Sequence, residues 1–131
     1  VGTQWLDESS CMVSLLLPWP PTVNHYWKRS YKRFYVGEKG VNYRNEVVIL
    51  ASKFKNSYVN NERLRIDIEA HPPDKRRRDL DNIFKCLLDS LQYAGVYSDD
   101  NQLDQIYIER KTPRNGQLLV TIKELKRDII I

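Results

Sequence analysis

Arg63-Leu64-Arg65-Ile66-Asp67-Ile68-Glu69-Ala70 alternates charged and apolar side chains, the period-two pattern of a strand buried on one face. A loop follows from His71 to Arg78, with two prolines and then Asp74-Lys75-Arg76-Arg77-Arg78. Beyond it, Leu80, Ile83, Phe84, Leu87, Leu88, Leu91 and Ala94 recur at helical spacing, and Gly95 supplies a stop. A helix therefore starts at Asp79 or Leu80.

The flanks extend the pattern. Upstream, Val13 to Leu17 is an apolar run closed by Pro18-Trp19-Pro20-Pro21, which reads as a short strand and a rigid loop, because proline ends both ladder and helix. Arg33 to Val36 reads as a short edge strand. Tyr43, Val47, Leu50, Ala51 and Phe54 form one helical stripe, with Arg44, Lys53 and Lys55 off it. Downstream, Ser98-Asp99-Asp100-Asn101 is a polar turn. A strand from Leu103 to Lys111 follows, then the hairpin signal Asn115-Gly116 and a last strand from Gln117 to Leu125. The order β-α-β-α-β-β predicts an α/β single-domain, two-layer sandwich with a mixed β-sheet and two main helices, crossover units first and an antiparallel hairpin last.

Composition narrows the class. The chain has 131 residues, 41% apolar and 29% charged, with net charge +4, which fits one globular domain with its own core. No apolar run approaches the roughly 18 residues of a membrane helix. Cys11 and Cys86 make no disulfide framework, so a reducing, cytoplasmic setting is expected. Residues 1–11 hold no recognisable element and are set aside as an extension or expression remnant; the domain is expected over 12–125, with a tail at 126–131. Residues 1–11 carry two acidic side chains and no basic one, so the remainder has charge +6. That balance favours a polyanionic partner.

Several chemistries are absent. The five glycines are isolated, so there is no phosphate loop, and two histidines and two cysteines lack zinc spacing. His25 and His71 read as loop residues. No nucleotide or organic cofactor is expected. What stands out is Arg76-Arg77-Arg78-Asp79-Leu80-Asp81-Asn82-Ile83-Phe84-Lys85, where cations run directly into two carboxylates. Inside a helix Asp79 and Asp81 would point roughly 200° apart. They converge only if Asp79 is extended or at the N-cap with Asp81 in the first turn, where the helix dipole favours ionised carboxylates. Such oxygen ligands suit Mg²⁺. Lys85 lies one turn past Asp81, and Asp89 continues that polar stripe. Asp100 reaches the pair only by another route, for instance if the strand after it lies beside the strand at Arg63–Ala70. The alternative reading is plain scaffold: Asp79 a helix cap, Asp81–Lys85 a surface ion pair, Asp99-Asp100 a turn. Lys75, Arg76, Arg77 and Arg78 form one candidate DNA-binding run, and Lys28, Arg29, Lys32 and Arg33 a second, with Trp27, Tyr31 and Tyr35 available to stack on bases.

On these residues the sequence resembles the RusA family of Holliday junction resolvases. Three blocks carry the likeness: Leu17-Pro-Trp-Pro-Pro-Thr-Val-Asn24, Pro73-Asp-Lys-Arg-Arg-Arg-Asp-Leu-Asp-Asn82 with Lys85, and Ala94-Gly-Val-Tyr-Ser-Asp-Asp-Asn-Gln102. It spans about residues 12 to 125. The resemblance implies catalytic and metal-binding carboxylates at Asp79, Asp81 and Asp100, an essential lysine at Lys85 and a basic residue at Arg78, with Asp99 at a flanking acidic position. It implies a Mg²⁺-dependent homodimer, often prophage-encoded, that resolves four-way DNA junctions by paired symmetric nicks in recombination and repair. Where the family commonly has an acidic residue shortly after the second block, this chain has Gln105, with Asp104 one place earlier; residues 1–11 have no counterpart. Two other functions fit the same residues: a non-catalytic junction- or DNA-binding module, and a metal-dependent phosphohydrolase of small nucleotides. The second is disfavoured by eight cations spread over two segments, which a small substrate does not need.

Overall fold

The computed structural model, described for residues 12–22, 26–30 and 33–126, runs in chain order through ten elements. They are β1 (Val13–Pro18), β2 (Trp27–Ser30), β3 (Arg33–Val36), α1 (Glu38–Leu50), a 3-10 turn (Ser52–Phe54), β4 (Leu64–His71), α2 (Asp81–Tyr93), a 3-10 turn (Asp100–Gln102), β5 (Leu103–Arg110) and β6 (Gln117–Glu124). His25, Tyr31 and Lys32, like residues 1–11 and 127–131, lie outside the described residues, as do the side chains of Arg29, Arg33 and Tyr35. The main sheet has the order β1-β6-β4-β5, and β2 pairs with β3 in a separate ribbon. β4 runs parallel to β5 and antiparallel to β6, which is antiparallel to β1.

The alternating stretch is the middle of this sheet. Leu64, Ile66, Ile68 and Ala70 are fully buried, with Ile66 between Ile106 and Ile122 and Ile68 between Ile108 and Val120. Val13, Leu15 and Leu17 of β1 continue the same apolar face. The helices cover it, α2 through Ile83, Cys86, Leu87 and Leu91 and α1 through Tyr43 and Val47. Each such burial is worth about 1.5–3 kcal/mol. The other face keeps Arg65, Asp67 and Glu69 toward solvent, with Arg65 and Asp67 paired at 2.8 Å. The fold is thus the expected two-layer α/β sandwich with a mixed sheet. Among the described residues, no helix is long and apolar enough to cross a membrane.

Local details depart from expectation in three places. Asn115 and Gly116 both have positive φ, 53° and 73°, as a tight hairpin turn requires, yet β5 and β6 are not neighbours. The connecting loop is tied across the end of β4, Lys111 N–H to Ala70 O at 2.8 Å and Arg114 N–H to Pro72 O at 2.9 Å, and delivers β6 to the far side. Burial explains the order: Leu118, Val120 and Ile122 of β6 are wholly buried, as a central strand demands, whereas Ile106 of β5 is 44% exposed at the edge. Second, the segment at Arg33–Val36 does form a strand, but it pairs with Trp27–Ser30 in a basic ribbon that composition alone did not reveal. Trp27 packs edge-on against Tyr26 and partly into the core, so it is scaffold and not an open stacking platform. Third, α1 ends at Leu50, which is exposed, while Ala51 is buried.

Candidate active site at the start of α2

β4 ends at His71, whose Nδ1–H donates to Thr112 O at 2.8 Å, a structural role matching its reading as a non-catalytic residue. The chain then turns through Pro72 and Pro73 into the arginine run. Asp74 organises that run. Its carboxylate accepts from Arg76 N–H at 2.8 Å and from Arg78 Nη1 at 2.6 Å. The Arg78 guanidinium, and after it the Arg76 N–H, hold the Asp74 carboxyl well below the usual carboxylate range. Arg110, at the end of β5, donates to the Arg78 carbonyl and ties the loop to the sheet. Sequence reasoning missed Asp74, although an Asp in a proline-containing loop commonly accepts from the backbone N–H two residues on, as an Asx turn. Lys75 and Arg77 are exposed and have no acidic partner among the described residues.

At the end of this loop α2 begins. Asp79 lies just outside the helix and Asp81 is its first residue, after an N-cap at Leu80 that itself has helical φ and ψ, −66° and −30°; the N-cap is thus Leu80 and not Asp79. Asp79 O accepts from Asn82 N–H at 3.3 Å, but no side chain caps the helix. Asp79, Asp81 and Lys85 are exposed, and none has a side-chain hydrogen bond or ion pair among the described residues. The scaffold alternative, a capping Asp79 and an Asp81–Lys85 pair, is therefore not what these groups do. Asp89, further along the stripe, is consumed by the fold: the Tyr26 hydroxyl donates to it and Arg44 Nε approaches at 3.3 Å.

Asp100 sits at the other end of α2. Its backbone N–H donates to Gln92 Oε1 at 3.0 Å. Burial first, then the charge and hydrogen bond of Asp99, push its carboxyl above the ordinary value. Asp99 is a cap. It accepts from Asn101 N–H at 2.9 Å while Gln102 Oε1 accepts from Asp99 N–H at 3.1 Å. Asp104 is paired with Arg63 at 2.6 Å. β5 does lie beside β4, but in parallel, so the turn before β5 meets the start of β4 and not its end. From Asp81 to Gln92 the helix rises roughly 16 Å. Two carboxylates at a helix start are a donor set that suits Mg²⁺, yet among the described residues no three His, Cys, Asp or Glu side chains converge within the chain. The expected gathering of Asp79, Asp81 and Asp100 does not occur inside one subunit. Gln92 and Asp81 nevertheless lie within roughly 20° of one another around the helix, so Asp81 with Lys85 and the Asp100 turn are two exposed ends on one side of α2, with buried Leu88 between them.

Of the second basic run, Lys28 is exposed on β2; Lys32 and the side chains of Arg29 and Arg33 are outside the described residues.

Comparison with known proteins matches this architecture to a family. Residues 18–123 match the model of endodeoxyribonuclease RusA. The chain is 45% identical over 113 residues to the crossover junction endodeoxyribonuclease rusA of Enterobacteria phage HK97, covering 85% of this chain and 93% of that protein. It is 38% identical over 116 residues to the crossover junction endodeoxyribonuclease RusA of Escherichia coli strain K12, covering 86% and 94%. With the protein of the same name from Enterobacteria phage 82 it shares 35% over 112 residues, covering 85% and 93%. All three blocks of the arginine–aspartate signature lie within or directly against the matched span, and the chain belongs to the RusA family of endodeoxyribonucleases.

Proposed function

We propose that the protein resolves four-way DNA junctions by Mg²⁺-dependent paired nicks, acting as a homodimer whose two active sites each take residues from both subunits. The observation that carries this is the placement of the polar groups at the two ends of α2: Asp81 and Lys85 exposed and unpaired at one end, Asp100 held by Gln92 on the same side at the other. Two such helices set antiparallel about a two-fold axis bring the Asp79–Asp81 pair of one subunit beside the Asp100 turn of its mate, twice. A C2 dimer matches the approximate two-fold symmetry of a four-way junction and the need for two opposed cuts.

In each site Asp79 and Asp81, with Asp100 of the partner subunit, would hold the cation. When bound, Mg²⁺ supplies Lewis-acid neutralisation of the charge that grows on the phosphodiester oxygens. Lys85 places an ammonium one turn from Asp81, where it stabilises the charge of the transition state. Lys75 and Arg77, without acidic partners, grip flanking phosphates, as does Lys28 on the ribbon, which makes affinity salt-dependent.

The test uses a synthetic four-way junction and a matched duplex, with and without Mg²⁺. Wild type nicks only the junction and only with metal. Asp81→Asn and Asp100→Asn homodimers bind the junction and do not cut it. Heterodimers of the two variants, purified through two different tags, contain one intact site and one doubly altered site, and therefore nick a single strand per junction. Inactive heterodimers from variants that still dimerise would refute the shared site. Cutting by Asp81→Asn would refute the metal ligands. Metal-independent binding without cleavage would instead point to a binding module, and turnover of free nucleotides to a phosphohydrolase.

A further inference from the structure

Between the proline-rich loop after β1 and the start of α2 lies an open cleft of about 530 Å³, within the roughly 300–1,000 Å³ typical of small-ligand sites. Trp19 and Pro73 give it an apolar lining, Lys39 and Arg77 give it charge, and Asp79 and Asn82 bring the start of α2 to the same space. The apolar part is built into the fold. Trp19 N–H donates to Gly116 O at 3.0 Å. Gly116 has φ +73°, and a Cβ there would stand 3.2 Å from the Cβ atoms of both Trp19 and Pro73, so a side chain at that point would press on both residues. Trp19 is half-buried, packs against the core and lines the cleft.

The polar groups are uncommitted. Lys39 and Arg77 are exposed and have no ion pair among the described residues. The Asn82 side-chain amide has no hydrogen-bond partner among them either, and an amide offers both donors and an acceptor. An indole face beside two cations and an amide fits a ligand that is planar, anionic and edged with hydrogen-bonding groups. A nucleotide combines all three properties: its base stacks on the ring, its phosphates meet the cations and its edge meets the amide.

We propose that this cleft takes one unstacked nucleotide of branched DNA, with its base on Trp19 and its edge read by Asn82, and that these residues set which junction sequences are cut. The proposal rests on the nuclease reading, because Asp79 belongs to both sites. The cleft thereby couples base recognition to placement of the adjoining phosphate at the carboxylates. Unstacking is least costly where a base already lacks neighbours, so a branch point supplies the ligand more readily than a duplex. That makes the cleft a filter for DNA shape as well as sequence.

The test separates this from the nuclease reading by avoiding cleavage. Junctions carrying 5-iodouracil at successive branch-flanking positions are bound to the wild-type protein with Ca²⁺ in place of Mg²⁺ and irradiated, and the adduct is mapped by mass spectrometry. The expected result is one reactive branch position and an adduct on Trp19. An adduct elsewhere, or none, overturns the proposal whether or not the protein cuts junctions in Mg²⁺. An adduct on Trp19 in a protein that fails to cut would leave the cleft assignment standing and sink the nuclease reading. In a second arm, an abasic residue at the reactive position weakens wild-type binding by roughly fivefold to a hundredfold, the worth of one base–aromatic stack. The same lesion has a smaller effect on Trp19→Ala, which retains only the Asn82 contact to lose; an equal loss in that variant overturns the stack. Trp19→Phe keeps an aromatic face and retains the wild-type sensitivity, which guards against a folding defect in Trp19→Ala. Finally, Asn82→Ala flattens the spread of cleavage rates among junctions differing only at that position, and an unchanged ranking refutes base reading by Asn82.

Discussion

Lys85 follows Asp81 by four residues on an exposed stripe of α2, the favourable order for a helical ion pair, yet no such pair forms among the described residues. A surface pair of that kind is worth only about 0.3–0.5 kcal/mol, little enough for a lysine serving a phosphate to forgo. Lys85→Ala should therefore leave stability within about 0.5 kcal/mol in a denaturant titration while lowering junction cleavage by about 10²–10³-fold in single-turnover assays. Asp100 is the complementary case. Its carboxyl is pushed up by burial, then by Asp99, so its ionised form is disfavoured in the folded state. That cost is full above the folded value, declines as pH falls through it, and is gone below the unfolded value of about 4. Asp100→Asn should accordingly raise the melting temperature at pH 7, and the gain should vanish toward about pH 3, as followed by circular dichroism.

At the scale of elements, the loop between β4 and α2 differs from the impression its sequence leaves. Four adjacent cations suggest a repelling run held only by a ligand, but Asp74 takes up Arg76 and Arg78 and so leaves Lys75 and Arg77 as the outward pair. Asp74→Asn should release both guanidinium groups. The slope of log K against log salt for duplex binding should then steepen by about one, measured by fluorescence anisotropy between low and moderate salt. α2 was largely legible: Ile83, Leu87, Leu88 and Leu91 are buried as expected, while Leu80 and Phe84 are only partly so, the helix starts at Asp81, and Cys86 and Ser90 join the buried face. Its end at Gly95 is a Schellman motif with Val96 N–H to Leu91 O at 3.1 Å, Gly95 N–H to Gln92 O at 2.9 Å and a φ of +79°. The ribbon of β2 and β3 was not legible as a pair, because its residues are basic and aromatic without clear alternation. Asp89 continues the polar stripe in sequence, yet it is held by Tyr26 and Arg44 from elsewhere in the chain, a contact no local pattern announces.

For the whole molecule, the decisive feature is the direction of β5. Pairing runs from Leu64 with Leu103 to Ala70 with Arg110, in parallel, with α2 returning between the two strands. A helix in such a unit runs against its strands, so residues at its start and residues after its end lie at opposite ends of the sheet. That geometry divides Asp79 and Asp81 from Asp100 in every copy of the chain. The proposed site therefore draws on two chains, which is why mixing two inactive variants is the informative experiment.

The amino-acid sequence by itself determined the two-layer class, the buried face of β4 and the stop of α2, because periodicity and turn chemistry are properties of neighbours along a chain, and its family resemblance singled out Asp79, Asp81, Lys85 and Asp100 as site candidates. Only the tertiary structure decided that β6 slots between β1 and β4, that Asp74 neutralises half of the arginine run, and that the acidic residues stand a helix length apart. Those outcomes depend on which strand wins the central, fully buried position and on which direction its neighbour takes, and both are settled by packing between segments distant in sequence.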